Sequence, residues 1–141
     1  IEGWLLKVES IVRGGQGKTF GAVAGGFEYT FYQVAGSIVD IGLILEYVYD
    51  GRDNNTFIVF DNDFFTGVRL SLSDVGSTEF LIGSFIDAKD GSVFIAAEAS
   101  RRFGESWKIL LEGRGYIPQG DNVIRFFQND AQIQLDIEFH Y

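Results

Sequence analysis

Asp130-Ala131-Gln132-Ile133-Gln134-Leu135-Asp136-Ile137-Glu138-Phe139-His140-Tyr141, the last stretch of the sequence, is the one whose reading decides the fold. From Ala131 every second residue is apolar (Ala131, Ile133, Leu135, Ile137, Phe139, Tyr141), and those between are polar (Gln132, Gln134, Asp136, Glu138, His140). A strict period of two belongs to a β-strand with one oily and one wet face. On a helix both sets would scatter around the circumference, so a helix is excluded.

Working backwards, the same alternation recurs seven times. It predicts strands near Trp4–Arg13, Thr19–Tyr32, Val39–Asp50, Phe64–Ser73, Glu79–Asp87, Ser92–Arg102 and Trp107–Tyr116. The clearest is Val39–Asp50, where Val39, Ile41, Leu43, Leu45, Tyr47 and Tyr49 share one face. Lys89-Asp90-Gly91 is a tight-hairpin signal. With the last stretch, the count is eight strands, an even number.

Composition agrees with many strands and tight turns. The 141 residues hold 16% aromatics and 18 glycines but one proline. No cysteine is present, which removes disulfides and thiolate metal sites. No apolar run reaches the ~18 residues of a spanning helix. A net charge of −9 argues against a nucleic-acid partner, because phosphate binding needs a basic footprint. With no methionine and no apolar leader, the sequence reads as a mature protein or as the C-terminal part of something longer.

The expected fold class is an all-β, transmembrane, antiparallel up-and-down β-barrel with eight strands in one domain over 1–141. Three features favour it over a soluble, lipocalin-like barrel. Strands of about 10 residues are long enough to cross hydrocarbon when tilted. Large aromatics (Trp4, Tyr47, Tyr49, Trp107, Phe139, Tyr141) stand at strand ends on the apolar face, like interfacial girdles. Connection lengths are also lopsided. Near Gly14–Lys18, Gly51–Asn62, Asp87–Gly91 and Ile117–Gln128 one end carries both long loops, whereas the other (Gln33–Ile38, Ser73–Ser77, Phe103–Ser106) has short turns only.

In that fold the oily face meets lipid: Leu43, Leu45, Tyr47, Val68, Leu70, Ile82, Ile109, Leu111, Ile133, Leu135, Ile137, Phe139 and Tyr141. The ionic face meets the lumen: Lys7, Glu9, Arg13, Glu28, Asp40, Glu46, Arg69, Glu79, Glu98, Arg102, Lys108, Glu112, Arg114, Asp136 and Glu138. Gly42, Gly67 and Gly83 share this face and are expected to relieve crowding beside long charged side chains. If eight strands close alone, the interior is filled and these charges form a packed salt-bridge network. In a wider barrel they line water, and their acid excess favours cations or uncharged solutes.

The terminal alternation ending in an aromatic residue resembles the closing strand of bacterial outer-membrane β-barrels. Gly25-Gly26-Phe27-Glu28-Tyr29-Thr30-Phe31, Leu45-Glu46-Tyr47-Val48-Tyr49-Asp50, Phe60-Asp61-Asn62-Asp63 and Glu98-Ala99-Ser100-Arg101-Arg102-Phe103-Gly104-Glu105-Ser106-Trp107-Lys108 resemble a porin-like, uncharacterised group of proteobacterial outer-membrane proteins. Members of that group look longer than this chain, and the likeness is to their C-terminal part. The resemblance implies a lipid-embedded barrel in the bacterial outer membrane. It also implies contact with lipid and lipopolysaccharide, and assembly through the C-terminal strand by the barrel-assembly machinery. It names no solute, and the oligomeric state stays open.

Other chemistry is thinly represented. Gly17-Lys18-Thr19 matches the tail of a phosphate loop, but Val12 stands where a glycine is needed and a strand follows, so a hairpin turn is expected. His140 is the only histidine and no nucleophile is placed beside it, so no enzyme is expected. Asp50, Asp53, Asp61 and Asp63 lack the spacing of a calcium loop and read as a solvated acidic loop. No metal site and no cofactor is expected. The leading function is a porin-like passive channel for ions or small solutes. The alternative is a closed, narrow barrel with a structural, adhesive or lipopolysaccharide-contacting role.

Overall fold

The computed structural model describes residues 3–15, 18–52, 61–119 and 130–141. It contains eight strands: β1 (Trp4–Arg13), β2 (Phe20–Phe31), β3 (Val39–Asp50), β4 (Asn62–Leu72), β5 (Glu79–Asp87), β6 (Val93–Phe103), β7 (Trp107–Ile117) and β8 (Gln132–Phe139). All eight form one sheet in sequence order, each antiparallel to its neighbour. A 3₁₀ turn, Val34–Gly36, interrupts the β2–β3 connection.

The strands fall where the alternation places them, apart from the last. There β8 stops at Phe139, although the pattern runs on to Tyr141. The His140 N–H donates to the Ser106 carbonyl at 2.7 Å, after which the chain leaves the ladder. Two turns place a glycine at positive φ, Gly91 at +78° and Gly104 at +64°, whereas Gln33, Ala35 and Ser77 adopt positive φ without that freedom. The hairpin expected at Lys89-Asp90-Gly91 forms, with the Asp87 carboxylate accepting from the Lys89 N–H at 2.6 Å.

The sheet is not closed. β1 pairs with β2 alone and β8 with β7 alone, so each presents one unpaired edge. Every residue of β1 is exposed, as is every residue of β8 except Asp136. Alternation dictates which face a residue occupies but carries no instruction about which edges meet.

Nor do the described residues form an apolar core. Among the described residues the only fully buried side chains are Asp63 and Ser92. The chain exposes 9905 Å², against about 7,300 Å² for a compact monomer of this size. Among the described residues no second layer covers either face. Of the two, the polar face is the better covered: Gly42, Gly67 and Gly83 are buried while Leu43, Leu45 and Val68 on the other face are exposed. This asymmetry belongs to a sheet that curves toward its polar side.

Candidate functional site

Register fixes the two faces. Directly opposed residues of an antiparallel pair share a face, and so do residues two apart on one strand. Following the partners Lys7↔Gly26, Glu28↔Ile44, Gly42↔Arg69, Leu81↔Glu98, Glu98↔Glu112 and Glu112↔Gln134 puts all fifteen expected ionic residues on one side. Leu43↔Val68, Val68↔Ile82 and Leu111↔Leu135 carry the expected apolar set along the other side. Tyr141 lies beyond the end of β8.

The apolar face is graded along the strands. One end carries aromatics in tilted and edge-on contact, with Trp4 and Tyr29 centroids 4.8 Å apart, Tyr29 and Phe31 at 4.7 Å and Trp107 and Phe139 at 4.8 Å. At the other end Tyr47 and Phe64 lie 5.0 Å apart, and the Tyr47 hydroxyl donates to Asn62 Oδ1 at 2.6 Å. Aliphatic residues (Leu43, Leu45, Val68, Ile82, Leu111) fill the interval. Phe31 is opposite Ile41, and the eight residues from there to Tyr49 cover about 26 Å of strand.

The polar face is less uniform than the sequence reading expects. Phe65, Phe85, Phe94 and Tyr116 oppose one another in turn, with ring centroids 4.8, 6.3 and 4.9 Å apart. They form an aromatic row across β4–β7. A signal was present in the sequence: Phe64-Phe65, Leu81-Ile82, Phe85-Ile86 and Phe94-Ile95 are apolar neighbours, so one member of each must point to the polar side.

The glycines of this face have two different purposes. A Cβ on Gly42 would stand 2.8 Å from Glu28 Oε1 and 3.5 Å from Arg69 Nε, so its absence lets Glu28 on β2 reach Arg69 on β4 across β3. That matches the expectation of relieved crowding. Gly67 and Gly83 depart from it, because what lies over them is the Phe65 ring. Ring carbons would be 3.1 Å from a Cβ at Gly67 and 2.5 Å from one at Gly83.

The charges do not knit into a network. Lys7 meets Glu9 at 3.6 Å and Arg69 meets Glu28. Asp40 accepts from the Gln33 N–H at 2.7 Å, Arg114 donates to Gln132, and Gln134 donates to Asp136 at 2.8 Å. Among the described residues the side chains of Glu46, Glu79, Glu98, Arg102, Lys108 and Glu112 have no ion pair or hydrogen bond. Glu98 directly opposes Glu112, and Arg102 opposes Lys108, like charges that repel across the pair.

At the strand ends, Asp53 lies outside the described residues. Asp50 pairs with Arg52 at 2.6 Å and Asp61 with Lys89 at 2.5 Å, which raises the Lys89 ammonium above its ordinary value. Asp63 corrects the expectation of a solvated acid: it is 1% exposed, its Oδ2 accepts from the Asn62 N–H at 3.0 Å, and its Oδ1 has no partner. No group of three or more acids, histidines or cysteines that could hold a metal occurs among the described residues. His140 Nε2 lies 3.3 Å from Glu138 Oε2. Compared with known proteins, the chain matches no family model, no curated protein and no solved structure.

Proposed function

We propose that the chain belongs to a bacterial outer-membrane β-barrel acting as a porin-like passive channel for ions or small solutes. In this reading the apolar face, with its two aromatic rows, sits in lipid, and the ionic face lines water. The eight strands are an arc, completed by further strands across the two free edges, since unpaired N–H and C=O groups are not tolerated in hydrocarbon. Lipid and lipopolysaccharide are then the surrounding partners, and the barrel-assembly machinery would engage β8.

One observation carries the choice of a channel over a plugged barrel. Among the described residues six ionic side chains of the polar face have no ion pair or hydrogen bond, whereas eight strands closed on themselves would force such groups into a filled interior where each needs a partner. A face of unpaired charges is stable only in water. Acids exceed bases among the fifteen residues, so the conductance should favour cations. Reconstitution into planar bilayers is expected to give steady, cation-selective steps. A silent bilayer would support the narrow, filled barrel instead, and a protein that stays dispersed without detergent would support a soluble one.

A further inference from the structure

We infer that two copies of this chain pair edge to edge, β1 of each against β8 of the other, and so close one barrel. The inference rests on the reading of the polar face as water-lined, and it names the source of the strands that reading calls for. β1 offers an edge of ten residues without a proline, on which Leu5, Leu6, Val8, Ile11 and Val12 are exposed. Sheets in water guard such edges, and hydrocarbon does not tolerate them. The side-chain contacts at both edges are local. Lys7 meets Glu9 at 3.6 Å, Gln134 meets Asp136 at 2.8 Å and His140 meets Glu138 at 3.3 Å, each two residues along the same chain segment.

The two edges fit each other. With Lys7 opposite Asp136, Leu6 faces Ile137, Val8 faces Leu135 and Trp4 faces Phe139, so oily residues share one side and opposite charges meet on the other. Trp4 already touches Tyr29, and Phe139 already touches Trp107. Bringing Trp4 beside Phe139 joins these two pairs into one unbroken aromatic row. Sliding by two residues one way sets Glu9 against Asp136, acid against acid. Sliding the other way leaves Lys7 opposite Gln134 and carries Phe139 past Trp4. Edges meant for unrelated strands have no need of this match.

The same match would let one chain close on itself, but that would shut the unpartnered charges of the polar face into a filled interior. Two chains avoid this. β1 and β8 of one chain run antiparallel, so a two-fold axis along the barrel brings each β1 beside the other copy's β8 in the required sense. Both copies then keep their long connections on the same side of the membrane. Pairing β1 with β1 would turn one copy upside down.

Sedimentation of the chain in detergent micelles is expected to give two chains per particle. Lys7→Asp puts like charges across both seams, and so does Asp136→Lys. Each variant alone should pair at least about tenfold more weakly. Mixed, the two should recover, because one seam of the mixed pair regains opposite charges while the other keeps the native ones. Loss of folding cannot imitate recovery on mixing. Closure within one chain cannot either, since only both changes in the same chain would rescue it. One chain per particle at every concentration, or no recovery on mixing, would overturn the inference. Paired chains in a silent bilayer would remove the channel and leave the assembly. Conducting particles of one chain would remove the assembly and leave the channel.

Discussion

At the scale of single residues, the glycines separate positions the fold cannot fill from positions it leaves open. A Cβ at Gly26 would collide with the Leu45 carbonyl oxygen and stand 2.7 Å from Glu46 Cα, and neither is free to move because both belong to the β3 backbone. At Gly113 a Cβ would meet nothing within 4 Å. Gly26→Ala should therefore cost about 3 kcal/mol or prevent folding. Gly113→Ala should range from neutral to about 1 kcal/mol more stable, because alanine restricts the unfolded chain. Urea unfolding from lipid vesicles, followed by intrinsic fluorescence, separates the two; equal effects would mean that β2 and β3 are less close than the structure has them. Both are glycines in strands, and nothing in the sequence distinguishes them. Most of the ionic residues were legible because apolar neighbours flank them, as they do Lys7, Asp40, Glu46, Arg69 and Asp136. Phe65, Phe85, Phe94 and Tyr116 were not, because an apolar pair satisfies either phase of the alternation.

Elements were the most legible level, since turn chemistry and period both marked them, and the β4–β5 turn shows how firmly one is set. Asp74 accepts from the Thr78 N–H and from the Thr78 hydroxyl, each at 2.8 Å, and Arg101 lies 3.4 Å away. These contacts, led by the Thr78 N–H, hold the Asp74 carboxyl below its ordinary value of 3.8. A lowered pKa means that the ionised acid is the form the turn favours. Its contribution is complete above the ordinary value and disappears as the pH falls through the lower, folded one. The Thr78 amide resonance in micelles should accordingly titrate with a midpoint below 3.8 in the native chain. It should stay flat in Asp74→Asn, which keeps an acceptor oxygen but no charge. A midpoint at or above 3.8 would mean that the turn's hydrogen bonds do not persist in solution.

For the whole molecule, the question is what becomes of the two free edges. β1 and β8 run antiparallel, so they could in principle meet. Their apolar faces coincide only when opposed residue numbers sum to an odd total, as with Leu6 opposite Ile137 and Lys7 opposite Asp136. Charge and polarity thus permit closure, while the sheet as folded does not perform it. The sequence could not decide this, because closure depends on curvature summed over eight strands rather than on any local pattern. Eight strands closed alone leave an interior that side chains fill, whereas about sixteen leave an aqueous passage. The channel reading therefore requires that β1 and β8 pair with other strands and not with each other. Leu6→Cys with Ile137→Cys, oxidised after insertion into vesicles, should give no disulfide within a single chain. Cross-linking between two chains would identify a second copy as the source of the missing strands. An internal disulfide formed in high yield would show that the eight strands close by themselves, and the water-filled passage would have no room to exist.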